Sequence, residues 1–265
     1  VVGGNLALTS AGDITDDANA DIAVTGTASL TADNVGNTAA IILGDQAGNT
    51  TNFGSLTVVS DADTTITEDS DTAVNTINAA NLTLTSAGAI TDNLGTEAAN
   101  ITTGTATLLA ALGIGSADDI NTTIVTLLAT NTGVSGNIRI TETDNLVIRA
   151  ADQTNAAAAG NIVITAAGDI TIEAVGTGGT GVSISGATVT GTVTITATGV
   201  GSDMSVENSV TTNGTAITLK ADGNLTSTAA GVVSSNGTGA IGGGEILLWS
   251  TAGNISLDGD VTANS

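Results

Sequence analysis

The sequence predicts an all-β protein folded as a parallel β-helix (β-solenoid) with coils of about 25 residues. Three observations support this: short runs of alternating apolar and polar residues, the regular return of those runs, and a hydrophobic content of 41% with only 1% aromatic residues. The runs recur near Leu6, Leu30, Leu56, Leu82 and Leu108, at spacings of 24 and then 26 residues. Alternation indicates a half-buried strand, and a narrow coil favours aliphatic over aromatic side chains.

Residue types indicate where each strand and turn lies. Val, Ile and Thr dominate the runs and favour strands, whereas Gly, Asn and Asp lie between the runs and favour turns. Later runs occur near Ile138, Ile162, Val193, Ile217 and Ile246, and the stretch 112–136 is the least regular. The chain contains no Pro, a residue that would remove hydrogen bonds from a sheet ladder.

A longer repeat overlies the short period. Residues 5–16 read NLALTSAGDITD and residues 81–92 read NLTLTSAGAITD, which are identical at ten of twelve positions. Weaker copies occupy 161–172, 216–226 and 245–256. We therefore predict a single continuous solenoid segment over residues 1–265, with long units of approximately 5–80, 81–160 and 161–265. We expect it to be a fragment of a longer repeat protein.

The alternative fold is a tandem of β-sandwich domains of about 80 residues each, because the repeat offset of 76 residues would suit such a domain. Three features favour the solenoid instead. The long unit contains the finer period of about 25 residues, no Trp or Tyr marks an equivalent core position in each unit, and no distinct linker separates the units.

The composition excludes several classes of function. The chain has no His and no Cys, so it lacks the residues for a Ser–His–Asp triad, a thiolate nucleophile or an ordinary zinc site. Its three basic residues (Arg139, Arg149 and Lys220) stand against 26 acidic ones, for a formal charge of −23. We therefore expect no nucleic-acid partner. We also expect no membrane insertion, because no apolar run approaches the roughly 18 residues of a membrane span.

The repeats resemble those of a known class of surface protein. The segment NLTLTSAGAIT from residue 81, followed by GTATL from residue 104, is similar to filamentous-haemagglutinin-type repeats of large bacterial surface adhesins and extracellular fibre proteins. The resemblance implies a right-handed parallel β-helix that projects from the cell and mediates adhesion or builds a fibre. The resemblance implies no functional residue in this chain, because it concerns only the scaffold.

Acidic turns suggest a calcium site. Calcium takes six to eight oxygen ligands, which turn carboxylates and carbonyls can supply. The candidate ligands are Asp13, Asp16, Asp17, Asp61, Asp63, Asp69 and Asp71. The spacings of EF-hands and of calcium-binding β-rolls are missing, so the alternative is that these charges only solvate the turns. No other cofactor is predicted.

Paired carboxylates provide the candidate enzyme site. Asp118 with Asp119, or Asp16 with Asp17, could serve glycoside hydrolysis if one carboxyl had a raised pKa. Sugar clefts usually offer aromatic platforms, which this chain nearly lacks, so we expect no enzyme and no catalytic residue. Thr-x-Thr pairs such as Thr83/Thr85 could order water as on ice-binding solenoids, but they are intermittent.

The expected function is therefore a structural or adhesive one. The sequence suggests a stiff module of an extracellular fibre or cell-surface protein. Its partners would be further copies or repeats of itself stacked head to tail, or the surface of a host or neighbouring cell. The open edges at the ends of a solenoid, which normally need a cap, motivate the head-to-tail expectation.

Overall fold

The computed structural model describes residues 1–154, 160–173, 179–185, 191–237 and 242–264, and every regular element within them is a β-strand. The strands are β1 (Leu6–Ser10), β2 (Ile14–Thr15), β3 (Asp21–Ala32), β4 (Ile41–Leu43), β5 (Thr50–Ser60), β6 (Thr64–Glu68), β7 (Thr72–Asn78), β8 (Asn81–Ser86), β9 (Ile90–Asp92), β10 (Ile101–Ala110), β11 (Ile120–Asn131), β12 (Ile138–Glu142), β13 (Leu146–Gln153), β14 (Ile162–Ala166), β15 (Ile170–Ile172), β16 (Gly181–Ile184), β17 (Val193–Ala197), β18 (Met204–Val206), β19 (Val210–Thr212), β20 (Ile217–Ala221), β21 (Leu225–Ser227), β22 (Val233–Ser235), β23 (Ile246–Ser250), β24 (Ile255–Leu257) and β25 (Val261–Thr262).

Each of these strands pairs in parallel with a strand of an adjacent coil, and most strands of the middle coils pair on both sides. Parallel pairing requires the chain to travel around the molecule between partners, as it does in a β-helix. The predicted parallel β-helix is therefore confirmed. The tandem β-sandwich alternative is wrong, because sandwich sheets are built from antiparallel strands.

One ladder follows a single side of the helix through eleven coils, and we call this side the first stack. Its inward residues are Leu8, Leu30, Val58, Ile77, Ile101, Thr122, Glu142, Ala166, Ala197, Ala221 and Ser250. Successive members are 19 to 31 residues apart, which agrees with the predicted period of about 25. At ~4.8 Å per coil the ladder spans about 50 Å.

Two further stacks complete the wall in the later coils. The second stack contains β15, β18, β21 and β24, and the third contains β16, β19, β22 and β25. The second stack extends back through β8, β6, β4 and β2 towards the first coil. Each late coil therefore has three short strands, one in each stack.

The interior is one aliphatic core. Columns of Ile, Leu, Val and Ala alternate along each strand with outward polar residues, as in the pattern buried–intermediate–buried of β14, β17 and β15. Phe53 is the one aromatic residue of the core that the described ranges contain, at 4% exposure. Parallel strands allow each core side chain to lie against the equivalent side chain of the next coil.

The near-identical copies at 5–16 and 81–92 do not occupy equivalent places. The first copy begins with β1 in the first stack, whereas the second begins with β8, which pairs with β6 in the second stack. The register partners of Leu6 in the next three coils are Ala28, Leu56 and Val74, so the equivalent residue three coils later is Val74 and not Leu82. The offset of 76 residues is therefore not a whole number of coils.

Candidate functional sites

The seven candidate calcium ligands lie in turns or at strand ends of the first coils, and most of them accept a hydrogen bond from a neighbouring coil. Asp13 Oδ1 accepts from Ala40 N (2.9 Å), Asp16 Oδ2 from Gly44 N (2.9 Å), Asp61 Oδ2 from Asn34 N (2.5 Å), Asp63 Oδ1 from Asn81 Nδ2 (2.9 Å), Asp69 Oδ2 from Thr51 N (2.8 Å) and Asp71 Oδ1 from Ala89 N (2.7 Å). The Asp17 carbonyl oxygen accepts from Ala20 N at 3.1 Å. In the ranges that the structure describes, no three acidic side chains are grouped to hold a metal ion.

Later coils repeat the same hydrogen bond in one continuous column, which we call the corner ladder. It runs just before β13, β15, β18, β21 and β24, and each side-chain oxygen accepts the backbone N–H of the next member. The links are Asn145 Oδ1 to Asp169 N (2.8 Å), Asp169 Oδ1 to Asp203 N (2.8 Å), Asp203 Oδ1 to Asn224 N (2.6 Å) and Asn224 Oδ1 to Asn254 N (3.0 Å). Acidic side chains at this corner therefore join coils together.

The candidate catalytic pair is engaged in other contacts. Asp119 Oδ1 lies 2.6 Å from Arg139 Nε, and Asp119 Oδ2 accepts from Thr141 Oγ1 at 2.9 Å. Asp118 Oδ1 accepts from the backbone N–H of Asp119 at 3.1 Å. Both carboxylate oxygens of Asp119 are therefore engaged by neighbouring side chains. In the other pair, Asp16 Oδ2 also accepts from Asn49 Nδ2 at 2.7 Å.

Two glutamates lie inside the helix, a feature that the sequence analysis missed. Glu68 and Glu142 are each 1% exposed, at the last inward position of β6 and β12. Burial raises the pKa of each carboxyl from 4.5 to about 7, although hydrogen bonds act in the opposite direction. The alternation of β6 and β12 was the available signal, because it continues inward to the glutamate in both strands.

Glu142 replaces backbone pairing where the first stack turns into the second. Its Oε2 accepts from Thr122 Oγ1 (2.7 Å) and from Ile124 N (3.0 Å) in the preceding coil. Its Oε1 accepts from the backbone N–H of Thr143 (2.8 Å) and Asp144 (3.3 Å). Glu68 Oε1 likewise accepts a hydrogen bond from Phe53 N of the preceding coil, at 2.6 Å. Both carboxyls therefore bridge adjacent coils from within.

Apolar side chains are exposed on both terminal coils. Leu8 in β1 is 40% exposed, whereas its ladder partner Leu30 is 1% exposed. Ile255 in β24 is 46% exposed, whereas its partner Leu225 is fully buried. Within the described part of the chain, these side chains and their strand edges have no coil beyond them. An additional coil would bury them.

The two terminal coils carry copies of the same motif on the same stacks. The inward residues of β1 are Leu6, Leu8 and Ser10, and those of β23 are Ile246, Leu248 and Ser250. In each copy a Gly and an Asx residue lead into the second stack, at β2 and β24. The last coil and the first coil therefore present matching inward patterns.

A shallow groove of about 190 Å³ lies on the outer side of the first stack. It is lined by Thr196, Ala197, Thr198, Lys220, Asp222 and Thr251. Trp249, the one Trp of the chain, follows Lys220 in the ladder and is 51% exposed. Its indole Nε1–H donates to Thr251 Oγ1 at 3.2 Å, which holds the ring beside the groove.

The predicted Thr pairs are distributed over two stacks. Thr83 and Thr85 follow Thr65 and Thr67 on the second stack, whereas Thr194 and Thr196 belong to the first. Within the second stack the pattern is interrupted one coil later, where Leu109 follows Thr85. The structure therefore contains a short double column of Thr residues, not a continuous face.

Comparisons with protein families, with curated proteins and with solved structures each found no match to this chain. No helix in the described ranges is long and apolar enough to cross a membrane.

Proposed function

We propose that this chain is a structural or adhesive module of an extracellular bacterial fibre or large surface protein, acting as a stiff rod without catalysis. The observation that carries the proposal is the unbroken parallel ladder of eleven coils from Leu8 to Ser250. Each coil is joined to the next by backbone hydrogen bonds and by a continuous aliphatic core. Such a stack resists bending because any bend must open ladder bonds on one side.

The surface chemistry supports a rod that stays in solution along its sides. The formal charge of −23 is carried largely by turns, where carboxylates also accept hydrogen bonds from neighbouring coils. Like charges on the sides of two rods repel, so lateral association is disfavoured. The ends differ from the sides because they combine exposed apolar side chains with open strand edges.

The proposed partner at the ends is a further copy of the same coil motif, stacked head to tail. Placing β1 of one copy over β23 of another would continue the first stack with Leu6 over Ile246, Leu8 over Leu248 and Ser10 over Ser250. It would also cover Ile255 with the second-stack strand β2. This arrangement repeats the contacts already present between neighbouring coils inside the chain.

Small-angle X-ray scattering over a concentration series tests the stacking. We expect a rod of about 50 Å at low concentration and end-to-end multiples of that length at high concentration. Leu8→Asp or Ile255→Asp places a charge in the end-to-end contact and should hold the protein at the shortest length. Val125→Asp is the matched control, because Val125 is 63% exposed on the side of a middle coil.

Two results would contradict the proposal. Wild-type protein that stays at the shortest length at every concentration would remove the head-to-tail contact. Antibody labelling of cells of the source organism that requires permeabilisation would remove the extracellular location. The first measurement concerns the ends of the rod and the second its place in the cell, so either part can fail alone.

A further inference from the structure

Trp249 places an aromatic surface next to the polar groove, because it follows Lys220 in the ladder and hydrogen-bonds to Thr251, and both of these residues line the groove. Trp249 continues an outward column of the first stack that runs through Thr165, Thr196 and Lys220. Its outward direction follows from the alternation of β23, in which the residues on either side of it point inward. The ring therefore lies on the side of the rod, where the indole face is accessible to a ligand in solution.

The polar groups of the groove retain unused hydrogen-bonding capacity. Thr198 Oγ1 donates to Ala166 O at 3.0 Å, which leaves its oxygen lone pairs available. Asp222 Oδ2 accepts from Gly201 N at 2.7 Å, which leaves Oδ1 available. Lys220, the one Lys of the chain, forms no ion pair with any residue that the structure describes. Donors and acceptors thus stand side by side along a short groove.

We propose that this groove binds one unit of a neutral oligosaccharide, with a C–H face of the sugar ring against Trp249 and its hydroxyls hydrogen-bonded to Lys220 and Asp222. A sugar ring has an apolar face and a hydroxyl rim, which match an indole beside polar side chains. Five of the six lining residues are polar or charged, and the sixth, Ala197, is inward and only 1% exposed, so a wholly apolar ligand would leave Lys220 and Asp222 unpaired. Asp222 and the charge of −23 disfavour an anionic ligand.

The inference goes beyond the rod function, because a rod can act as a spacer without binding any sugar. The groove is small compared with the 300–1,000 Å³ of typical ligand pockets, so each site should bind weakly. Repetition of rods on a surface would then raise the avidity without any new contact. The binding is not catalytic, since no pair of free carboxyls lies in the groove.

The single Trp makes the test direct, because its emission reports on this site alone. We would titrate the purified chain with a panel of neutral hexose and N-acetylhexosamine oligosaccharides and with acidic oligosaccharides, at a protein concentration where it is monomeric. We expect a saturable change in Trp emission with at least one neutral member. Calorimetry of the same ligand should show at least tenfold weaker binding by Trp249→Ala and by Lys220→Gln.

Leu247→Ala is the matched control, because Leu247 is 40% exposed on the same outward side of β23, two residues before Trp249. It should bind as the wild type does, and circular dichroism should show that all variants keep their strand content. The proposal is overturned if no neutral oligosaccharide changes the emission, if only acidic ones bind, or if Trp249→Ala and Lys220→Gln bind as tightly as Leu247→Ala.

Discussion

At the scale of single residues, the two buried glutamates couple the helix to pH. Each carboxyl has a pKa of about 7 in the folded chain and about 4.5 when exposed, because burial penalises the charge. The folded state therefore binds protons more tightly than the unfolded state between these two values. The resulting stabilisation is complete below pH 4.5 and is lost as the pH rises through 7, so the free energy of unfolding falls over that range.

We expect the melting temperature to be higher at pH 5 than at pH 8, measured by circular dichroism at constant ionic strength. A pKa rise from 4.5 to about 7 corresponds to about 3 kcal/mol per buried carboxyl, most of which is lost between pH 5 and pH 8. Glu68→Gln should make the melting temperature less dependent on pH with little loss of stability, because the amide oxygen can still accept a hydrogen bond from Phe53 N. Acid also weakens the repulsion among the other carboxylates. The dependence of the melting temperature on pH that remains in the double variant Glu68→Gln/Glu142→Gln measures this repulsion.

Glu142→Gln should also flatten the profile, but with a clear loss of stability at every pH. Both oxygens of Glu142 accept from N–H or O–H donors, so an amide NH₂ would face a donor on one side. The contrast between the two substitutions separates titration from hydrogen bonding. An unchanged slope in both single variants and in the double variant would mean that these carboxyls do not titrate in this range.

At the scale of elements, a Gly–Asx sequence provides three of the five members of the corner ladder, at Asp169, Asn224 and Asn254. A Cβ atom on Gly168 would lie 2.2 Å from Asn145 Oδ1, and one on Gly223 would lie 2.3 Å from Asp203 Oδ1. Glycine is therefore required where the side chain of one coil reaches the backbone of the next. Asp169 and Asn224, which follow these two glycines, each accept the hydrogen bond of the next coil, whereas Asn145 and Asp203 belong to the ladder without a preceding Gly.

We expect Asp203→Ala to lower the free energy of unfolding by about 0.5–2 kcal/mol, as loss of a side-chain cap does at a helix terminus. The substitution removes the acceptor for both Asn224 N (2.6 Å) and Asn224 Nδ2 (3.1 Å). Asp203→Asn is the matched control, since it keeps an Oδ1 acceptor of the same reach and should unfold like the wild type. Equal urea midpoints for the alanine and wild-type proteins would show that the ladder adds no stability.

Much of the scaffold could be predicted from the sequence, whereas the positions that depend on corners could not. Alternation predicted strands such as β14 and β17 because each lies on one flat side. It failed over 112–136, which contains β11, a strand of twelve residues. That strand turns from the first stack into the second, so its buried residues do not keep a period of two.

The candidate sites show the same division. The sequence singled out turn carboxylates as calcium candidates, but only three-dimensional register shows that Asp13 and Asp71 accept hydrogen bonds from coils 18 to 27 residues away. Glu68 lies directly before the turn residues Asp69 and Asp71 in the sequence, although its strand places its side chain inside the helix. Whether a carboxylate faces in or out depends on where its strand ends, and the alternation of β6 through Glu68 was the one local signal of it.

At the scale of the whole molecule, the charge of −23 on a rod of eleven coils must destabilise the folded state through self-repulsion. Charges on adjacent coils are ~5 Å apart, inside the Debye length of about 8 Å at physiological ionic strength. Salt therefore screens the repulsion between charges on distant coils fully and the repulsion between charges on adjacent coils only in part. We expect the melting temperature to rise by a few degrees between 10 mM and 150 mM NaCl and to continue rising at higher salt.

The same experiment tests calcium, because MgCl₂ and CaCl₂ at equal ionic strength screen alike but differ in the oxygen sites they occupy. We expect equal melting temperatures in the two salts and no change on adding a chelator, since six of the seven candidate aspartates already accept hydrogen bonds from neighbouring coils. The opposite result would be a melting temperature that rises in calcium only, with the rise abolished by Asp71→Asn but not by Asp203→Asn. That result would assign a calcium site to the first coils. The acidic turns would then stiffen the rod through the ion as well as through their hydrogen bonds.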